Sequence, residues 1–188
     1  MWQGKTMADQ TIKSPDGETL RLVGKVKTTP HADNLPKPIN TDSTTIEVIV
    51  SDGRLISSGS QWGHVAIDVG GTVYGMAHKG YDKRARTKYL ADNSYRDSLG
   101  VVLRVAQIEK EKIQQELERR IRADAPYNLV SNSCSTNVAD VLESIGILAH
   151  DPRFLFAPAS NVGVSPKELL IVIQRSKRAV KTNDYPRR

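Results

Sequence analysis

The 188-residue chain holds one cysteine, Cys134, in the stretch YNLVSNSCSTNVADVLESIG over residues 127–146. Val138, Val141, Leu142 and Ile145 follow it at helical spacing, which predicts an amphipathic helix starting near the cysteine. Cys134 lies one turn before Val138 and shares its apolar, sheet-facing side. Ser131, Asn132 and Ser133 are all competent N-caps. A thiol in a first turn feels the positive end of the helix dipole, which favours thiolate, and the free N–H groups there suit an oxyanion. This is the setting of a nucleophile. The competing reading is a small buried hydrophobe, the commoner fate of a lone cysteine. A base decides between them.

Four histidines are available. His31 sits in a Pro-rich loop, and His150 follows the cysteine helix in LAHDPRF. His64 opens an expected strand after Trp62-Gly63, where glycine permits close approach of another backbone or a substrate. A strand holds an imidazole rigidly, as a general base requires; otherwise His64 is a satisfied sheet histidine. Asp68 lies roughly 13 Å along the same strand, too far to orient the ring. The returning strand offers a third group, and turn length selects it. A Gly70-Gly71 turn sets Ala77 opposite His64 and turns His78 to the other face. A three-residue Gly70-Gly71-Thr72 turn sets His78 opposite. The reading adopted is His78. His64, His78 and Cys134 match no tight zinc spacing such as HExxH or CxxC, so neither a metal nor a cofactor is expected.

The elements that must position these residues follow from periodicity. Residues 1–18 read as a loose polar segment, 19–27 as a strand, and 28–43, with Pro30, Pro36 and Pro38, as a long loop. TTIEVIV is a strand, SDGR a turn and RLISS a short return. The 65–69 and 73–77 segments form a hairpin about Gly70-Gly71. Residues 79–88 read as a basic loop, and LGVVLRV as a buried strand. Ile113, Leu117 and Ile121 mark a helix over 109–123 that Pro126 ends. Gly146 suits the end of the cysteine helix. Ser165-Pro166 starts a last helix, and 177–188 reads as a frayed basic tail. The result is one α+β domain over 19–176, an antiparallel sheet with helices packed on it.

Composition narrows the function. Apolar residues make up 38% of the chain but fall in periodic segments, which indicates a globular protein. No long apolar run predicts membrane insertion, and MWQGKTMADQTIK lacks the apolar core of a secretory signal. The formal net charge of +6 favours anionic partners, although solubility alone also explains it. Aromatics are only 5% and the basic residues are scattered, so no base-stacking platform for nucleic acid is expected.

Gly63-His64, Pro126-Tyr127-Asn128-Leu129 and Asn132-Ser133-Cys134-Ser135-Thr136, with histidine before cysteine, resemble the circularly permuted papain-like hydrolases of the NlpC/P60 superfamily. The resemblance spans about 45–147. It implies a papain-like fold, Cys134 as nucleophile, His64 as base and a polar residue of the next strand, His78, as its orienting partner. It also implies oxyanion or substrate contacts from Tyr127 and Ser135; a Tyr127 that merely packs the start of the helix is the alternative. One departure stands out: many permuted relatives carry a polar residue about twelve positions after the histidine, and Met76 stands there. The third residue therefore stays open. The chain also resembles small type VI secretion effectors that cleave peptidoglycan. That implies delivery to a target cell's periplasm, peptidoglycan stem peptides as substrate, and a cognate immunity protein and secretion carrier as partners. Two other functions fit the same sequence. One is a lipid acyltransferase or phospholipase with Phe154-Leu155-Phe156 against a membrane. The other is a non-enzymatic basic binding module.

Overall fold

A computed structural model describes residues 11–13, 17, 19–21, 43–53, 62–151, 153 and 157–188. The chain divides into two units, 1–40 and 41–188. In the first, β1 (Thr11–Lys13) pairs antiparallel with β2 (Thr19–Arg21). The expected strand over 19–27 is described only through Arg21. The proline-rich loop up to residue 42, His31, the 54–58 return and Phe154-Leu155-Phe156 lie outside the described residues.

The second unit carries β3 (Ser43–Ser51), β4 (His64–Val69), β5 (Thr72–Ala77), β6 (Gly80–Ala85), α1 (Arg86–Asp92) and β7 (Ser98–Ala106). It continues through α2 (Gln107–Ala123), α3 (Cys134–Glu143), α4 (Ala159–Val162), α5 (Pro166–Gln174) and β8 (Ala179–Tyr185). Six strands form one antiparallel sheet in the order β6-β5-β4-β3-β7-β8. The α+β class with an antiparallel sheet is as expected.

Alternation along the strands gives the sheet two different faces. Ile46, Val48 and Val50, with Val65, Ile67, Val101 and Leu103, join the main core beneath Ile113 and Leu117 of α2, Val138 and Leu142 of α3, and Leu169 and Ile173 of α5. The opposite face holds a smaller cluster, Ile49, Ala66 and Val73, covered by Tyr89 of α1. Beside that cluster, Glu47 and Asp68 pair across β3 and β4, and both are bound by Arg86. Asn183 and Tyr185 each donate to Glu47 at 2.7 Å, and the Gly71 N–H donates to Asp68 at 2.8 Å. The two buried carboxylates are thus held by one guanidinium and three further donors, the condition for tolerating them inside.

Three regions differ from expectation. The 79–88 segment is no loop: it forms edge strand β6 and the first turn of α1, and Arg84 and Arg86 are tied into ion pairs. The basic 177–188 segment is not frayed, because β8 pairs with β7 along residues 98–103. Helix α2 stops at Asp124, in a left-handed conformation at φ 44°, two residues before the proline expected to end it. The nine residues that follow, 125–133, lead to the cysteine.

Candidate active site

The loop before α3 is built by side-chain amides. The Asn128 carboxamide oxygen accepts from the N–H groups of Val130 and Ser131, both at 2.9 Å, a turn set by a side chain. Asn132 donates to the carbonyl of Pro126 at 2.9 Å and accepts from Asn137 of α3 at 3.1 Å. Of the three candidate caps, Ser133 caps α3: its hydroxyl accepts from the Thr136 N–H at 3.1 Å. Cys134 is therefore the first residue of the helix.

Cys134 is buried, with 6% of its surface exposed. Burial pushes its thiol pKa up, while the N–H groups of Val65, Ser135 and Cys134 itself oppose the rise. The expectation that the helix start would favour thiolate is corrected: desolvation outweighs the backbone donors. The resting group is a thiol surrounded by N–H groups. Ser135 contributes there through both its backbone and its side chain, and its hydroxyl also donates to the Val164 carbonyl ahead of α5.

His64 begins β4. The preceding Gly63 has φ +93°, and a Cβ on it would stand 2.7 Å from the Ser51 carbonyl oxygen, so the Gly-His pair is required by backbone approach. The imidazole lies over Gly75 of β5, where an added Cβ would meet Nε2 at 3.4 Å. Burial, then the positive charges of Arg96 and Arg84, push the His64 pKa down to about 4. At neutral pH the ring is uncharged and able to accept a proton. No hydrogen bond joins His64 and Cys134, but both line one cleft of about 600 Å³.

The hairpin settles the position of His78. Gly70 and Gly71 have φ of +65° and +89°, the two-residue turn that suits hairpin twist. Val69 pairs with Thr72 and Ala66 with Gly75, a register that sets Ala77 opposite His64. The three-residue turn behind the choice of His78 does not form. His78 lies instead in the β5–β6 turn, where its ring packs on Tyr127 with centroids 4.2 Å apart and 34° between planes. Both rings line the cleft that holds Cys134 and His64. The Tyr127 pKa is raised by burial and by nearby Cys134, which puts the phenol beside the thiol.

The cleft also contains Asp82 and Arg84, from the segment read as a basic loop that could bind stem-peptide carboxylates, and Tyr81, Tyr89 and Arg96, which the sequence did not single out. Tyr81 is held by the Asn137 side chain. Arg84 binds Asp82 at 2.9 Å and also Asp92. These residues arrive from β6, α1 and the turn before β7, segments whose polar composition gave no periodic signal. His150 lies elsewhere, buried against Glu143, rather than in a surface loop. Among the described residues no three His, Cys, Asp or Glu groups gather as a metal site, and no helix is long and apolar enough to cross a membrane.

The arrangement supplies a thiol, backbone donors around it, a neutral strand-borne imidazole and aromatic walls in one cleft. The chain matches no protein-family model, no curated protein and no solved structure.

Proposed function

We propose that this chain is a cysteine amidase or endopeptidase of the permuted papain-like, NlpC/P60 kind, acting on the peptides of bacterial peptidoglycan. The observation that carries the reading is Cys134 at the start of α3, ringed by backbone N–H groups, facing the same cleft as the neutral imidazole of His64. His64 takes the Sγ proton as sulfur attacks the substrate carbonyl carbon. The N–H groups at the helix start hold the oxyanion. The imidazolium then protonates the departing amine, leaving a thioester. Water, deprotonated by His64, cleaves the thioester and restores the thiol. Tyr127 and His78 form a stacked wall beside the sulfur and contact the acyl part of the substrate. Delivery by a type VI system, with an immunity protein and a carrier as partners, completes the proposal.

Isolated peptidoglycan incubated with wild type, Cys134→Ala and His64→Ala is expected to release new peptide ends only with wild type, read by mass spectrometry. Equal release by Cys134→Ala would remove the cysteine from the chemistry. Release by none would remove peptidoglycan as the substrate.

A further inference from the structure

Arg96 precedes β7 and is 4% exposed. Only its Nη2 is engaged, donating to Asn93 at 2.5 Å, while Nε and Nη1 have no hydrogen-bond partner. Its guanidinium carbon lies 5.3 Å from the Tyr95 ring centroid, which holds the side chain without satisfying its donors. The acids that line the cleft, Asp82 and Asp92, are committed, since both bind Arg84. A buried guanidinium with unmade donors and no counter-ion is costly. The Tyr89 hydroxyl, buried in the same wall, lies near Ser51 but makes no hydrogen bond of regular geometry, the Ser51 hydroxyl accepting from Ser98 at 2.8 Å instead. Both groups line the cleft that holds His64 and Cys134.

We propose that Arg96, assisted by the Tyr89 hydroxyl, binds a carboxylate of the substrate, so that the scissile bond belongs to a peptide with a free carboxylate close by. This rests on the cysteine-hydrolase reading. A carboxylate is an acceptor-only group that takes charge-assisted bonds from a guanidinium. Among the described residues Arg96 is the one buried cation of the wall without a counter-ion, Lys79 lining the same cleft but exposed to solvent; a single buried positive charge matches one negative charge, which favours a carboxylate over a phosphate dianion. Bound there, the anion offsets the positive field that Arg96 exerts on His64, making the imidazole a stronger base once substrate is in place. Tyr89 and Arg96 are binding residues, distinct from the nucleophile and base.

Two measurements test this. In the first, acetate is titrated into wild type, Arg96→Gln and Tyr89→Phe while the His64 imidazole resonances are followed by NMR, with chloride as the control for ionic strength. A saturable shift in wild type, lost in Arg96→Gln and weakened in Tyr89→Phe, is expected. No shift in wild type, or the same shift in all three proteins, overturns the carboxylate site. Arg96→Gln is expected to melt no lower than wild type, because the charge it removes is unpaired. Tyr89→Phe supplies the answer if that variant does not fold.

In the second, stem peptides are compared with the same peptides after amidation of their carboxylates. Amidation is expected to cost wild type about 30-fold in kcat/KM, within the range for a hydrogen bond to a charged group. Arg96→Gln is expected to treat both forms alike. Equal wild-type rates on the two forms overturn the inference. If no peptide is cleaved in a Cys134-dependent way, the hydrolase reading falls, while the acetate titration still decides the carboxylate site.

Discussion

At the scale of single residues, the protonation states of Cys134 and His64 set the proposed chemistry. Burial raises the first and lowers the second to about 4, so the neutral pair, not the thiolate–imidazolium pair, is the resting form. Alkylation of Cys134 by iodoacetamide should therefore be slow at pH 7 and keep climbing with hydroxide through the alkaline range; a plateau from pH 5 upward would instead reveal an ion pair. Two glycines hold the base. Gly75→Ala brings a methyl into van der Waals contact with Nε2 at 3.4 Å, and we expect a fall in kcat of no more than a few-fold with little change in melting temperature. Gly63→Ala meets the Ser51 carbonyl at 2.7 Å in a left-handed backbone and should cost roughly 2–4 kcal/mol of stability, read by urea denaturation. Cys134 and His64, the proposed nucleophile and base, were legible in the sequence because each follows a local signal, serines before a helix and glycine before a strand. Arg96 and Tyr89 were not, because what marks them is burial without a partner, which no spacing encodes.

At the scale of elements, the cysteine helix depends on its start. Ser133 closes the first turn through Thr136, and Thr136 in turn donates to the Val130 carbonyl at 2.9 Å and accepts from the Val164 N–H at 3.1 Å. The cap and the two loops flanking the cleft are one hydrogen-bonded unit. Ser133→Ala should cost about 1 kcal/mol of stability and lower kcat more than it raises KM, since it loosens the N–H groups around the sulfur. Equal stability and activity in the variant would show that the loops alone fix the helix start. Periodicity revealed α2, α3, α5 and the central strands because each buries one stripe or face. It missed β6 and β8. These are the sheet's two edge strands, and their exposed charges erase the alternation that burial would impose. The wrong choice of turn at Gly70 set His78 in β5 opposite His64, the position that Ala77 takes. Two adjacent glycines, both at positive φ, are the signature of the shorter loop.

At the scale of the whole molecule, a buried neutral imidazole couples folding to pH. The unfolded chain binds a proton at His64 near pH 6.5, and the native state resists until about pH 4. Between these values the unfolded state carries more protons, so stability rises with pH and is lost as pH falls through that window. A shift of this size corresponds to roughly 3 kcal/mol at most, less for a ring with part of its surface in contact with solvent. Carboxylates that strengthen the fold, such as Glu116, held near 2 by Arg119 and Arg120, lose their contribution lower, below about pH 5. The interval from pH 6.5 to 5 therefore isolates histidine. Urea denaturation of wild type and His64→Gln at pH 7, 6 and 5 should give curves that converge as pH falls, because only the wild type has His64 to protonate. The buried His150 contributes equally to both proteins and cancels. A constant difference across the three pH values would mean that His64 is solvated and charged in the native state, and the neutral base at the centre of the proposed reaction would have to be abandoned.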